Sequence, residues 1–451
     1  MEIEDKNNLR EDAESIFYAG LEAVEPSKAV RTYMKKTHNT LKIGETVYNL
    51  SDLKRIFVVG FGKAGYPMAK TVEEILEDKI TQGCVVVKYG YSGHLEKIEI
   101  LESSHPIPDE AGMKAAEKII SLLSKTKEDD LVICLISGGG SAILPAPIEG
   151  ISLEEKQKVT QLLLDCGASI EEINTIRKHL SRVKGGQLAR LTYPAHLHSL
   201  ILSDVVGDRL DTIASGPTVP DRTTFKDCWE IVKKYELESL LPQSVITHLR
   251  RGIEGKIKET PKPGEPIFDR VNNLIIGSNI LALKAAKRKA ENLGYNCLIL
   301  SSFVEGETRE VARVHAAMAK EIISSGNPIS PPACILSGGE TTVKVKGKGK
   351  GGRNQEFSLA ACIDIRGMNN TLILSAGTDG TDGPTDAAGA FATGSTWRKA
   401  KEMGILPEEF LENNDSYNFF KKVGGLFLTG PTNTNVMDLR IILVAEKNQS
   451  K

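Results

Sequence analysis

The stretch Arg55 to Ala69, RIFVVGFGKAGYPMA, constrains the fold most. Four apolar residues, Ile56 to Val59, run into Gly60, and the turn Gly60-Phe61-Gly62-Lys63-Ala64-Gly65 leads into an amphipathic run to Asp78. That order predicts a buried strand, a tight turn and a helix N-terminus. Such a turn aims backbone N–H groups and a helix dipole at whatever sits above it, which suits an anion. The spacing also satisfies the loose G-x-G-x-x-G pattern of dinucleotide sites. Two details pull away from a dinucleotide. Lys63 places a cation inside the turn. The next strand, Cys84 to Lys88, ends in Lys88 and Tyr89 with no acid placed to take a ribose hydroxyl. Two readings stand: a phosphate-directed turn carrying a catalytic or charge-neutralising lysine, and an ordinary strand-to-helix turn with a surface lysine.

Further turns of the same character follow other apolar strands. Leu131 to Ile136 is continuously apolar, as a strand buried on both faces should be, and opens into Ser137-Gly138-Gly139-Gly140-Ser141. Glycines at that point let backbone amides approach a ligand, and the serines add hydroxyls. Ser199 to Leu202 runs into Ser203-Asp204, where Asp204 can accept from a substrate hydroxyl, hold a divalent cation or form a turn. Ala333 to Leu336 ends in Ser337-Gly338-Gly339-Glu340. Thr371 to Ala376 ends in GTDGTDGPTD, which carries Asp379, Asp382 and Asp386. The last loop has the composition of a calcium loop but lacks its closing glutamate. Carboxylates that hold Mg²⁺ or a substrate hydroxyl fit it better, with Glu340 and Asp386 as metal candidates and Asp379 facing substrate.

Two basic segments stand out. Arg177, Lys178, His179, Arg182 and Lys184 precede Gly185-Gly186 within an expected helix over 170–191. A solvated helix face and an anion pocket both fit that pattern. VKVKGKGKGG, at 343–352, leads into Arg353 at a helix start, where a guanidinium fork is well placed for a phosphate. His105, in the loop SHPIPD, reads either as a loop hydrogen-bonding residue or as a ligand or base.

At 451 residues the chain suggests two or three domains. The proline-rich segment KIKETPKPGEP, 256–266, is the expected linker, with domains at 1–255 and 267–451. Helices are expected over 9–24 and 27–36, packed outside the sheet. A net charge of -2 gives no electrostatic case for nucleic acid or an anionic membrane, and 5% aromatic residues argue against base-stacking platforms. No run approaches the length of a membrane-spanning helix. The seven cysteines are scattered with no C-x-x-C pair, and no signal peptide is visible, which together point to a reducing cytoplasm. The chain's composition leaves self-association of identical copies open.

Strand–turn–helix alternation predicts an α/β fold with mostly parallel sheets, the glycine-rich turns lying along one edge. That edge would carry Gly60, Gly62, Lys63, Gly65, Arg353, the serine–glycine amides and several aspartates. Cations, amides and a metal-binding carboxylate are what phosphoryl transfer requires. Neither a Walker A pattern nor a protein-kinase catalytic loop is present. The residues alone therefore point to an α/β enzyme acting on a phosphorylated or anionic small molecule.

The ordered set GFGKAG (60–65), SHPIPDEAG (104–112), SGGGSA (137–142), SDVVGD with SGPTVPD (203–221), SGGETTV (337–343), GGRNQE (351–356) and GTDGTDGPTDAAGA (377–390) resembles the glycerate 2-kinase family across nearly the whole chain. The resemblance implies ATP- and Mg²⁺-dependent phosphorylation of D-glycerate to 2-phosphoglycerate. It implies a Rossmann-like N-terminal domain, a C-terminal domain containing the MOFRL region at about 331–446, and an active site in the cleft between them. It also implies that Lys63 and Arg353 are catalytic; Asp204 and Asp379, which both follow strands, are the candidates for the base on the glycerate hydroxyl, with Asp204 taken as catalytic and Asp379 as substrate-binding. The rivals are phosphorylation at the 3-position, NAD(P)H-dependent reduction of hydroxypyruvate, and a non-catalytic binding protein for a sugar acid or nucleotide.

Overall fold

The computed structural model describes residues 9–446; the first eight residues of the acidic N-terminus lie outside this range. The chain forms two compact units, one of residues 26–276 and one that joins 1–25 to 277–451. This corrects the boundary expected at 256–266. That segment packs inside the first unit: Asp221 N–H donates to the Pro261 carbonyl at 2.8 Å, and Thr260 Oγ1 donates to Asp221 Oδ2 at 3.0 Å. Its prolines and charges look like a linker in sequence, but their partners lie some forty residues upstream, out of reach of a local reading.

The first unit opens with the helix Pro26–Tyr33 and a small antiparallel sheet of β1 (Met34–Lys36), β2 (Thr40–Ile43) and β3 (Thr46–Asn49). The helix expected to reach Lys36 thus stops early. A two-residue turn, Gly44-Glu45, closes the β2–β3 hairpin, with Gly44 at φ +57° as such turns require. The main sheet contains β4 (Arg55–Phe61), β5 (Ile80–Lys88), β6 (Ile98–Ser103), β7 (Asp130–Ile136), β8 (His196–Leu202) and β9 (Val271–Gly277). Its order is β6-β5-β4-β7-β8-β9, with β4 to β8 paired in parallel. This is the doubly wound order, and its direction reverses between β4 and β7. Alternation along β4 feeds both faces. Phe57, Val59 and Phe61 join the core under the helix Glu110–Leu123, whereas Ile56 and Val58 join the core under Gly65–Leu76.

In the second unit the helix Leu9–Ala23 packs on Asn279–Asn292, so closely that a Cβ on Gly20 would lie 3.1 Å from the Ala282 carbonyl oxygen. Tyr295 Oη donates to Asp12 Oδ2 at 2.7 Å and ties the helix Leu9–Ala23 to the segment that follows Asn279–Asn292. The sheet contains β10 (Asn296–Val304), β11 (Ala333–Gly339), β12 (Thr371–Gly377), β13 (Gly389–Thr393), β14 (Leu426–Phe427) and β15 (Asp438–Val444), in the order β10-β11-β15-β12-β13-β14. Only β10–β11 is parallel. The mostly parallel expectation therefore holds for the first unit, and the second sheet is mixed. The last strand causes this. All seven residues of β15 are buried, so it inserts between β11 and β12, antiparallel to both.

The reversal point rests on a backbone approach that only glycine allows. Gly62 has φ +127°, and a Cβ there would lie 2.5 Å from the Ser137 carbonyl oxygen. We expect Gly62→Ala to cost about 3 kcal/mol in urea unfolding, from clash and strain together. Gly90→Ala, at φ +80° with nothing within 4 Å, should cost only ~1–2 kcal/mol. Equal losses at the two positions would show that the approach is not a constraint.

Candidate active site

In the first unit the turns after β4 and β7 meet where the sheet order reverses. Lys63 N–H donates to the Gly138 carbonyl at 2.9 Å, and Ala64 N–H donates to Ser137 Oγ at 3.0 Å. Gly60 and Gly65 serve packing: a Cβ on either would lie within 3 Å of Leu135 or Val85. Gly138 leaves room for Asp204, whose Oδ2 would lie 2.2 Å from a Cβ at that position. Gly139, at φ +83°, leaves room for the His105 ring. Ser141 Oγ lies 2.8 Å from Ser215 Oγ. The structure therefore gathers Lys63, His105, Ser137 to Ser141 and Asp204 from four separate stretches of sequence.

Electrostatics distinguish the members of this group. Burial raises the Asp204 carboxyl above its ordinary value, and Lys63 opposes the rise. Burial, then Lys63 and Lys88, lower His105 to about 4, so its imidazole is neutral near pH 7. A neutral ring can accept or donate one hydrogen bond beside Gly139 without adding charge.

In the second unit Arg353 is held from both sides. Its Nε and Nη2 donate to Asp438 Oδ2 and Oδ1 at 2.7 and 2.9 Å, and Nη1 lies 2.8 Å from Glu340 Oε1. Burial disfavours its charge, but Asp438 and Glu340 outweigh burial and raise its pKa. The fork expected to grip a phosphate thus grips a carboxylate, and the Nη1 edge faces Glu340. The helix N-terminus is also occupied from within. Asn354 and Gln355 N–H donate to the two Asp382 carboxylate oxygens at 3.0 and 2.8 Å. Burial lifts Asp382 to about 6, and those two amides restrain it.

The lysine–glycine loop does not offer its amides to a ligand either. Lys346 and Gly347 N–H donate to Asn414 Oδ1, Lys348 N–H to Asn413 Oδ1 and Lys350 N–H to Asp415 Oδ1, at 2.8 to 3.1 Å. Among the other sequence candidates, Ser337 Oγ lies 2.8 Å from His315 Nε2. Gly338 and Gly339 make room for Asn279 and for the Val304 backbone. Asp379 accepts from Thr381 N–H in its own turn, and Asp386 accepts from Tyr417 Oη at 2.8 Å. Among the described residues no group of three or more His, Cys, Asp or Glu could hold a metal ion, and no helix is long and apolar enough to cross a membrane.

Sequence reasoning missed the residue that organises this unit. Asp438, with no exposed surface, opens β15 opposite Gly339 of β11 and Gly377 of β12. It accepts from Arg353, from Asn354 Nδ2 at 2.8 Å and from Arg440 Nη2 at 3.0 Å. The available signal was a pair of opposite charges, Asp438 and Arg440, two apart in the otherwise apolar run DLRIILV and hence on one face.

Residues 12–250 match a family model described as a domain of unknown function, DUF4147, and residues 333–438 match the MOFRL family. Over 441 residues the chain is 42% identical to the glycerate 2-kinase of Pyrococcus horikoshii, covering 98% of both chains. This chain belongs to the glycerate kinase family. A D-glycerate 2-kinase of Thermotoga maritima is 44% identical over 441 residues, covering 98% of this chain and 99% of the relative. The crystal structure of a glycerate kinase from T. maritima matches with a TM-score of 0.87 at 44% identity, covering 97% of this chain and 99% of that one. The two-unit α/β architecture is thus that of the glycerate kinase family.

Asp438 is the most testable part of the second-unit cluster. Asp438→Asn leaves two arginines without their shared counter-charge, and we expect it to cost about 3–5 kcal/mol in denaturant unfolding. Arg440→Met should cost less, because Arg440 Nε and Nη1 already lack hydrogen-bond partners. The reverse order would move the organising role from the carboxylate to Arg440.

Proposed function

We propose that this chain transfers the γ-phosphoryl group of ATP to the 2-hydroxyl of D-glycerate, giving 2-phosphoglycerate and ADP. The observation that carries this reading is the near full-length identity to glycerate 2-kinases. The chemistry of the sites agrees with it. Glycerate O2 attacks the γ-phosphorus, the bond from that phosphorus to the β-phosphate oxygen breaks, and ADP leaves with the bond's electrons. Asp204 takes the hydroxyl proton; its raised pKa suits a base that must first hold and then release a proton. Lys63, beside Asp204 at the sheet reversal, and Arg353 neutralise charge on the transferring group. The N–H donors of Arg353 not engaged by Asp438 and Glu340 are the ones left for phosphate oxygens. Ser137 to Ser141 supply amides and hydroxyls to bound anions.

Mg²⁺, when bound, would supply positive charge that offsets the charge developing on the transferring group. It requires only one or two carboxylates beside the phosphate oxygens. Glu340, paired with Arg353, and Asp386, which accepts from Tyr417 Oη, are the carboxylates that would hold it. The seven free cysteines support a reducing, cytoplasmic setting. β5 ends in Lys88 with no acid for a ribose hydroxyl, which argues against a dinucleotide.

Phosphorus NMR on the protein with ATP, Mg²⁺ and D-glycerate should show 2-phosphoglycerate. A 3-phosphoglycerate signal would overturn the position of transfer. No phosphorylated product, together with NAD(P)H consumption on hydroxypyruvate, would replace the kinase by a reductase. Lys63→Ala and Arg353→Ala should each lower kcat by roughly two orders of magnitude or more. Near-normal turnover in either variant removes that residue from the mechanism.

A further inference from the structure

Beside the Ser137 to Ser141 turn the first unit holds a cavity of about 690 Å³. Gly139, Ser141 and His105 line it together with Lys156, Arg177 and Lys184. Lys156 and Lys184 are 7% and 2% exposed. Lys156 Nζ is buried with no hydrogen-bond partner. Burial and then Arg177 lower Lys156 to about 7; burial, Lys156 and Arg177 lower Lys184; burial lowers Arg177. No carboxylate is among the groups acting on these three cations. The one carboxylate lining the cavity, Glu154, is held by Ser152 at a fully exposed position.

Three basic side chains gathered without a counter-charge are costly to keep protonated, and an anion beside them would restore their charge. An arrangement of this kind calls for an anion supplied from solution. The remaining walls narrow its identity. Ile107 and Leu164, large apolar side chains 67% and 54% exposed, flank the cavity with Pro108 and Pro145. A three-carbon acid with one carboxylate would neither fill this volume nor need three cations. A ligand with several negative charges at one end and a flat apolar body at the other would do both.

We propose that this cavity binds the nucleotide, its phosphates on Lys156, Arg177 and Lys184 and its base on the Ile107–Pro108 and Leu164 walls. The assignment rests on the kinase reading and deepens it. Gly139 belongs both to this cavity and to the turn whose Gly138 carbonyl accepts from Lys63 N–H, so the phosphate end adjoins the proposed transfer residues. Ser141, which also lines the cavity, donates to Ser215 Oγ at 2.8 Å, because Ser215 gives its one proton to Asn174 Oδ1 at 3.0 Å.

The test is calorimetric titration of the full chain with metal-free ADP and, separately, with D-glycerate, in the wild type, Lys156→Met and Lys184→Met. Each variant should weaken ADP binding at least roughly tenfold while D-glycerate affinity holds. The melting temperature of the unliganded variants should stay level or rise, because a buried amine that gains nothing from the empty site has gone. A structural lysine would instead lower it. Unchanged ADP affinity in both variants overturns the assignment, as does loss of D-glycerate affinity with ADP binding intact. A wild type that makes 2-phosphoglycerate while both variants keep their ADP affinity retires this site and leaves the kinase reading standing. ADP binding that depends on Lys156 in a protein that phosphorylates no glycerate retires the kinase reading and leaves the site.

Discussion

One buried carboxylate holds the second unit's chemistry in place. Asp438 sits where β11, β15 and β12 run side by side and is shared by Arg353, Arg440 and Asn354. Without it Arg353 and the buried Arg440 would lose their shared counter-charge, and the start of the helix Arg353–Asp364 would lose its anchor. Because Asn354 and Gln355 also bind Asp382, the first turn of that helix is fixed by two carboxylates from different loops. Arg353 is consequently a pre-set cation: the fold itself fixes its position, so little ordering entropy is left for it to lose.

The two units treat charge in opposite ways. In the second, every turn that looked like an anion cradle is already satisfied internally, by Asp382 at the helix start and by Asn413 to Asp415 under the lysine–glycine loop. In the first, cations gather without partners around a cavity, and the glycine turns stay open enough for Asp204 and His105 to lie on them. A satisfied network gives rigidity and an unsatisfied one gives affinity. Positioning an arginine calls for the former, and taking up a polyanion calls for the latter.

What was legible in the sequence follows the same division. Lys63, Ser137 to Gly140 and Asp204 were readable because each lies within a few residues of a strand end, and the parallel sheet brings such ends together by rule. Asp438 and Lys156 were not, because each acts through partners far away in sequence. Lys156 did leave a trace, since it interrupts the apolar spacing Leu153, Val159, Leu163 on one helix face. The surroundings of the Arg353 helix start were legible only in part. Sequence shows a helix N-terminus and a cation, but not that Asp382, nearly thirty residues downstream, already fills that position. The small sheet β1–β3 escaped because its strands are three or four residues long, too short for periodicity to register.

The helix Leu9–Ala23 belongs with residues 277–451, so the unit of residues 26–276 is an insertion within the other. A ribosome delivers that helix first and its partner Asn279–Asn292 only after the whole insertion has emerged, an interval of roughly tens of seconds. The inserted unit can therefore complete its fold during synthesis, while Ala13, Ile16 and Phe17 wait with their apolar face uncovered. Vectorial synthesis makes this helix dock later than a unit that is synthesised after it. A chaperone that shields a nascent amphipathic helix would have its natural client in this interval.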